Sequence, residues 1–183
     1  MVLGMVLIVG ISGSPRSGAT TLTMVKAILA ACQKKGAQTE LLDLAQVKLP
    51  FFDHRESWDY GPEHKRVQDL LAKADGFVIG SPEYHGSLSG ALKNFLDLSD
   101  YKRVLAGKPV AFCGVGSMSR ARSMLDHALV VARALKMWAV PRTVGANRED
   151  FDQNTWQITN PAILERIEDA SEGLIKAVSA LKL

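Results

Sequence analysis

Three short stretches of this sequence carry side chains whose types and spacing could do chemistry, and each follows an apolar run. The first, Gly10-Ile-Ser-Gly-Ser-Pro-Arg-Ser-Gly-Ala-Thr-Thr-Leu22, joins glycines, hydroxyl residues and one arginine to the start of a helical pattern. Such a turn offers unpaired backbone N–H groups, the positive end of a helix dipole and hydroxyl donors to one anion. It lacks the Gly-Lys-Ser/Thr of a triphosphate loop, and Gly10, Gly13 and Gly18 do not make GxGxxG. One arginine and several hydroxyls suit a terminal monophosphate dianion, whereas triphosphates call for Mg²⁺ and a lysine, so the stretch reads as a cradle for a mononucleotide. The same residues also make a plain Ser/Gly-rich strand-to-helix turn with Thr20 or Thr21 as N-cap and Ser17 facing water.

The second stretch is Gly80-Ser-Pro-Glu-Tyr-His-Gly-Ser-Leu-Ser-Gly-Ala-Leu-Lys-Asn-Phe-Leu-Asp97. Pro82 holds Ser81 extended, Gly86 and Gly90 permit tight turns, and Tyr84 and His85 supply planar or polar side chains, which are the properties needed beside a flat heteroaromatic ring. Tyr84 as core packing and His85 as a surface residue is the competing reading. The third stretch, Cys113-Gly-Val-Gly-Ser-Met-Ser-Arg-Ala-Arg122, also opens a helix, but Gly114-Val-Gly116 lacks the third glycine of a dinucleotide turn. With nothing nearby to depress its pKa, Cys113 reads as a small buried hydrophobe and not as a nucleophile.

Positioning these stretches requires strands and helices in alternation. Apolar runs predict strands over Met5 to Ser12, Gln38 to Asp43, Gly76 to Gly80 and Pro109 to Val115, with a short fifth over Met137 to Val140 or Arg142 to Val144. Helical periodicity predicts helices over Thr20 to Lys35, Pro62 to Ala74, Ser89 to Leu98, Arg120 to Lys136 and Pro161 to Leu181. The 183 residues suit one domain, and five βα pairs suit an α/β doubly wound three-layer sandwich, whose ligands bind beyond the carboxyl ends of the strands at a topological switch point. All three stretches fall at that edge, together with the long connection from Ala45 to Gly61.

Charge narrows the partners. Lys and Arg exceed Asp and Glu by 22 to 19, a net +3 with no run of five like charges, so nucleic acid is not a favoured partner. Cys32 and Cys113 lie far apart with no CxxC, and His54, His64 and His127 show no ligand spacing, which argues against zinc, iron–sulfur or a disulfide framework and for a reducing cytoplasm. The apolar start, Val2 to Ile11, has no basic leader and is too short for a membrane span, so it reads as the first buried strand.

Taken together, Gly13-Ser-Pro-Arg16, Ser81-Pro-Glu-Tyr-His-Gly-Ser-Leu-Ser-Gly-Ala-Leu-Lys-Asn94, and Leu42-Asp-Leu followed by Leu49-Pro-Phe-Phe-Asp53 resemble the NADPH-dependent FMN reductase family, which includes chromate, quinone and azo-dye reductases. The resemblance covers nearly the whole chain. It implies a flavodoxin-like fold with five parallel strands in the order 2-1-3-4-5, non-covalent FMN, and two-electron transfer from NADPH or NADH to a small-molecule acceptor such as FMN, a quinone, an azo compound or an oxidised metal species. Phosphate contacts then fall on Ser14, Arg16, Thr20 and Thr21, with Ala19 in place of the Ser or Asn of many relatives and so limited to a backbone contact. Ring contacts fall on Pro82, Glu83, Tyr84, His85, Gly86 and Ser87, where His85 replaces an Asn common among relatives, and Gly114, Val115, Gly116 and Ser117 fall along the flavin's polar edge. No catalytic side chain is required, since hydride transfer belongs to the flavin. Arg120, Arg122 and Arg16 are candidates for the NADPH 2′-phosphate, the alternative for Arg120 and Arg122 being solvated first-turn residues. Trp58 and Tyr60 either cap the site or pack their loop. A homodimer or homotetramer is also implied, with Ser89 to Leu98 or Arg120 to Lys136 as the contact. A flavodoxin-type electron carrier is the main competitor, and such carriers are usually acidic; a non-enzymatic binding protein is the third reading.

Overall fold

A computed structural model describes residues 6–117 and 119–181, with the side chains of Ser57 and Trp58 also outside the described set. The predicted strand start at Met5 lies outside it too, as does any capping role for the Trp58 ring. The strands are β1 (Leu7–Ser12), β2 (Gln38–Asp43), β3 (Gly76–Pro82), β4 (Pro109–Val115), β5 (Trp138–Ala139) and β6 (Val144–Ala146). The helices are α1 (Thr20–Lys34), α2 (Gly61–Lys73), α3 (Gly90–Leu98), α4 (Tyr101–Val104), α5 (Arg122–Ala134) and α6 (Pro161–Leu181). Every pairing is parallel, in the order β2-β1-β3-β4-β5, with β6 also paired to β4.

Alternation along the strands sorts the core into two layers, because successive side chains leave a strand on opposite faces. Val9, Ile11, Phe77, Ile79, Val110 and Phe112 pack against α2, α3 and α5, while Ile8, Val78, Ala111 and Cys113 pack against α1 and α6. A sheet covered on both faces needs strands that are apolar throughout, which is how β3 and β4 read.

The fifth strand position departs from expectation. Both a segment within Met137 to Val140 and a second one pair with β4, β5 at Pro109 and Val110 and β6 at Cys113 to Val115, but β6 runs Val144–Ala146, so only Val144 of the expected Arg142 to Val144 belongs to it. Pro141 lies between them and has no N–H to give to a ladder, so the edge strand leaves the sheet after Val140 N donates to Val110 O (2.9 Å) and returns at Val144. The one-turn α4 also went unpredicted; four residues are too few to show a period.

Register brings the strand ends together. Ser12 stands beside Asp43 and Gly80, and Ser81 beside Gly114, so the segments after β1, β3 and β4 emerge side by side at the carboxyl edge. The order 2-1-3 places the switch point between β1 and β3, where the chain leaves toward α1 on one face and toward α3 on the other. No helix among the described residues is long and apolar enough to cross a membrane.

Candidate functional site

The loop after β1 is held against the third-strand loop by a short polar chain. Gly13 N donates to Gly80 O (2.8 Å), and the Ser89 hydroxyl donates to Gly13 O while accepting from Leu92 N (3.0 Å) as the N-cap of α3. Ser89 N in turn donates to Ser81 Oγ (3.0 Å). Gly13 is required here, since a Cβ would come within 2.7 Å of Gly80 O and 2.8 Å of Leu92 Cβ. Ser81 and Ser89 are buried and were not singled out from sequence, because their role depends on partners many residues away.

The loop itself leaves the start of α1 open. Ala19 is the N-cap, has no side chain to accept from the first turn, and no acidic residue follows it in that turn. Uncapped N–H groups at a helix start are an anion site, and a Ser, Thr or Asp there would have occupied them internally. Arg16 is exposed, and its backbone N–H donates to Ser14 Oγ (3.2 Å). Ser14 is buried beneath the loop. Of the two threonines, Thr20 is half-buried, whereas Thr21 is buried with its methyl against Gly80. Ser17 does not simply face water; it accepts from Gln46 Nε2 (3.0 Å), joining this loop to the connection after β2. Ser12 Oγ, at the end of β1, is buried without a partner among the described residues.

After β3 the chain makes a tight turn. Tyr84 and Ser87 exchange backbone hydrogen bonds at 3.0 Å each, with His85 (φ 52°) and Gly86 (φ 76°) between them. Two consecutive positive φ values define the hairpin turn in which Asn-Gly is preferred, because Asn tolerates the left-handed region. The His in place of Asn at position 85 is therefore first a backbone matter. Tyr84 and His85 are exposed, Pro82 is half-buried, and Ser87 Oγ meets His127 Nδ1 (3.1 Å).

Glu83 is also engaged within the fold. Its N–H donates to Val115 O (2.8 Å), and its carboxylate accepts from Met124 N (3.1 Å) at the start of α5. A Cβ on Gly116 would lie 2.5 Å from Glu83 Oε2 and 2.7 Å from Ala121 N. Gly114 is enclosed in the same way by Met124 and Ala121, and Gly116 N donates to Ala146 O (3.0 Å). Gly114 and Gly116 are thus buried packing positions, while Val115 is half-buried and Ser117 is exposed.

The reason for the glycines is the turn that follows. Arg120 (φ 52°) and Ala121 (φ 57°) are consecutive left-handed residues, each costing about 1–2 kcal/mol. Gly145 completes their bed, since a Cβ there would collide with the Arg120 carbonyl oxygen. Asp150, 2% exposed, locks the turn by accepting from Arg120 Nη2 (3.1 Å), Asn160 Nδ2 and Asn147 N (2.9 Å). Arg120 is therefore paired, although its side chain stays 48% exposed. Asp150 was missed from sequence because its partners come from three separate segments.

The connection after β2 is pinned by Asn94, which accepts from Phe52 N (2.9 Å) and donates to Pro50 O (3.0 Å). Tyr60 is buried and its hydroxyl donates to Asp53 Oδ1 (3.2 Å), so Tyr60 packs this loop. The Arg55 guanidinium, hydrogen-bonded to Asp53, holds that carboxyl far below the usual range. Phe51, 84% exposed, lies on the same connection. Burial pushes the Cys113 thiol up to about 12, consistent with a packing role, and His64 is buried with Nε2 at 2.9 Å from Leu98 O.

These features test whether the site suits FMN, and they fit: an open helix start beside an exposed arginine can hold a phosphate monoester, and an exposed Tyr84 turn adjoins it at the switch point. The fold and the site define a flavin oxidoreductase of the flavodoxin-like class. The chain belongs to the NADPH-dependent FMN reductase family, whose profile matches residues 6–150. It is 28% identical over 163 residues to an NAD(P)H-dependent FAD/FMN reductase of Geobacillus thermodenitrificans, covering 87% of this chain and 86% of that one. It is 31% identical over 160 residues to an FMN-dependent NADPH-azoreductase of Staphylococcus saprophyticus, with 82% and 83% covered. Among solved structures, the flavoenzyme NAD(P)H:(acceptor) oxidoreductase FerB of Paracoccus denitrificans superposes with a TM-score of 0.77 at 17% identity, over 96% of this chain and 98% of that one.

Proposed function

We propose that the carboxyl edge between β1 and β3 holds FMN and that the protein passes two electrons from NAD(P)H to a small acceptor: free flavin, a quinone, an azo compound or an oxidised metal species. The observation that carries this reading is the uncapped start of α1 behind Arg16. Bound FMN supplies the hydride chemistry. The chain's own work is positional. The N–H groups from Gly18 to Thr21, the Thr20 hydroxyl and the Arg16 guanidinium bind the phosphate, with Ser14 shaping the loop from beneath. The turn from Pro82 to Ser87 and the exposed parts of Val115 and Ser117 flank the ring.

The acceptor is read as small and varied because the buried acid and thiol nearest the edge, Asp150 and Cys113, are engaged in the fold and not aimed into it. A homodimer, or a tetramer built from it, is part of the proposal. Val130 (67% exposed) and Leu129 (40%) stand on α5, and a cavity of about 230 Å³ between Leu88, His127 and Val131 opens beside the Tyr84 turn, so a second copy docking there would wall the site. The two free, buried cysteines accord with a reducing, cytoplasmic setting.

The test is spectroscopic. Protein loaded with FMN should bleach on anaerobic addition of NADPH and recover with a quinone or azo dye; flavin that stays oxidised would leave an electron carrier, and failure to bind FMN would sink the reading. Arg16→Ala should weaken FMN binding by roughly 10- to 150-fold, the worth of charge-assisted hydrogen bonds of about 1.5 to 3 kcal/mol, measured by fluorescence titration.

A further inference from the structure

Beyond the turn that Asp150 locks, a cavity of about 470 Å³ opens at the free edge of the sheet. Ser119, Arg120 and Arg122 form one wall, Thr143 and Gly145 its floor, Asp126 a second turn of α5, and Arg166 approaches from α6. Arg120 is committed to Asp150, but Arg122 and Arg166 have no carboxylate partner among the described residues. Four other surface arginines, Arg55, Arg66, Arg103 and Arg142, each pair with a carboxylate. Two unneutralised guanidiniums facing one polar hollow, beside the hydroxyls of Ser119 and Thr143, make a site for a phosphate group, since guanidinium forks match phosphate oxygens. Asp126 offsets only part of that charge.

The hollow adjoins the loop that would flank the flavin: Ser119 follows Ser117 by two residues, and both lie at the carboxyl edge after β4. We propose that it takes the adenosine end of the reductant and that Arg122 and Arg166 read its 2′-phosphate, making them the residues that set a preference for NADPH over NADH. This inference rests on the flavin reading above. Arg120 belongs to the wall and not to the recognition, because its charge is already matched by a buried carboxylate.

Two measurements test it. In the FMN-loaded protein, Arg122→Ala and Arg166→Ala should each lower the ratio of kcat/KM for NADPH to that for NADH by about tenfold or more, the scale of a lost charge-assisted contact. Asp126→Asn should raise the same ratio, because it removes the opposing charge. By calorimetry, adenosine 2′,5′-bisphosphate should bind about tenfold or more tightly than 5′-AMP, and that difference should vanish in the Arg122→Ala, Arg166→Ala double variant. An unchanged ratio, a fall of equal size for both reductants, or equal binding of the two adenosine nucleotides would overturn the assignment while FMN binding stands. Protein that binds no FMN would instead overturn the flavin reading, and this inference with it.

Discussion

Replacing Ser89 by alanine isolates the contact that joins the two principal loops. The hydroxyl is fully buried, donates to Gly13 O and accepts from Leu92 N (3.0 Å). Without it, α3 loses its side-chain N-cap, at about 1 kcal/mol, and the Gly13 carbonyl loses a buried partner, at about 1 to 3 kcal/mol. The sum is about 2 to 4 kcal/mol, which for a chain of this size lowers the melting temperature by roughly 4 to 16 °C. The comparison must use apoprotein, because bound flavin would stabilise the fold by mass action and mask the loss. Urea unfolding gives the free energy directly. Gly13 begins the phosphate loop, so FMN affinity should fall in the same variant. A loss below about 0.5 kcal/mol would refute the claim that this hydroxyl is a sealed link between the loops.

Other outcomes follow from the same geometry. His85→Asn should leave apoprotein stability unchanged or slightly raised, while His85→Val should cost about 1–2 kcal/mol for a branched side chain at positive φ, both read by urea denaturation. Glu83→Ala should cost about 1 kcal/mol by uncapping α5 at Met124, and equal stability of the two proteins would show that the carboxylate is not engaged there. Burial pushes both thiols up to about 12, so neither Cys32 nor Cys113 should react with a thiol reagent at pH 8 until the protein unfolds. The sign of the linkage is fixed by that direction. Each thiol's contribution is intact below the unfolded value of about 8.5 and is lost as pH rises toward about 12, so the urea midpoint should fall with alkalinity, and less steeply in Cys113→Ala.

Elements whose signal lies within one segment were legible in the sequence. The strands β1 to β4 and the long helices follow from hydrophobic period, and the loop at Gly13 to Arg16 is recognisable because its residues are consecutive. What was not legible depends on distant partners. Nothing near Glu83 in the sequence shows that Met124 N, in the first turn of α5, lies 3.1 Å from its carboxylate. Nor does the sequence show that Met124 and Ala121 enclose Gly114, or Glu83 and Ala121 enclose Gly116. Arg120 reads as a 2′-phosphate candidate or a solvated first-turn residue, and only the fold brings Asp150, thirty residues on, against it. The divided edge strand was half legible: β5 falls within the expected Met137 to Val140, whereas β6 shares only Val144 with the expected Arg142 to Val144, and the β4 register shows that both segments are used.

The residues tied to distant partners share a cause that bears on function. Arg120 and Ala121 hold a backbone conformation that costs a few kcal/mol, and a free loop would relax out of it. It persists because three glycines leave room for it, Asp150 clamps one end through Arg120, and Glu83 clamps the other through the first turn of α5. The same two carboxylates tie that turn to the third-strand loop on one side and to the segment before α6 on the other. A site whose chemistry is carried by a bound cofactor has little use for reactive side chains, but it needs walls that do not move when reductant and acceptor exchange. On this chain the charged residues nearest the carboxyl edge therefore fall into two groups. Glu83, Asp150 and Arg120 fix the backbone through their hydrogen bonds, while Arg16, Arg122 and Arg166, without carboxylate partners among the described residues, are the cations that the proposed phosphate contacts would use.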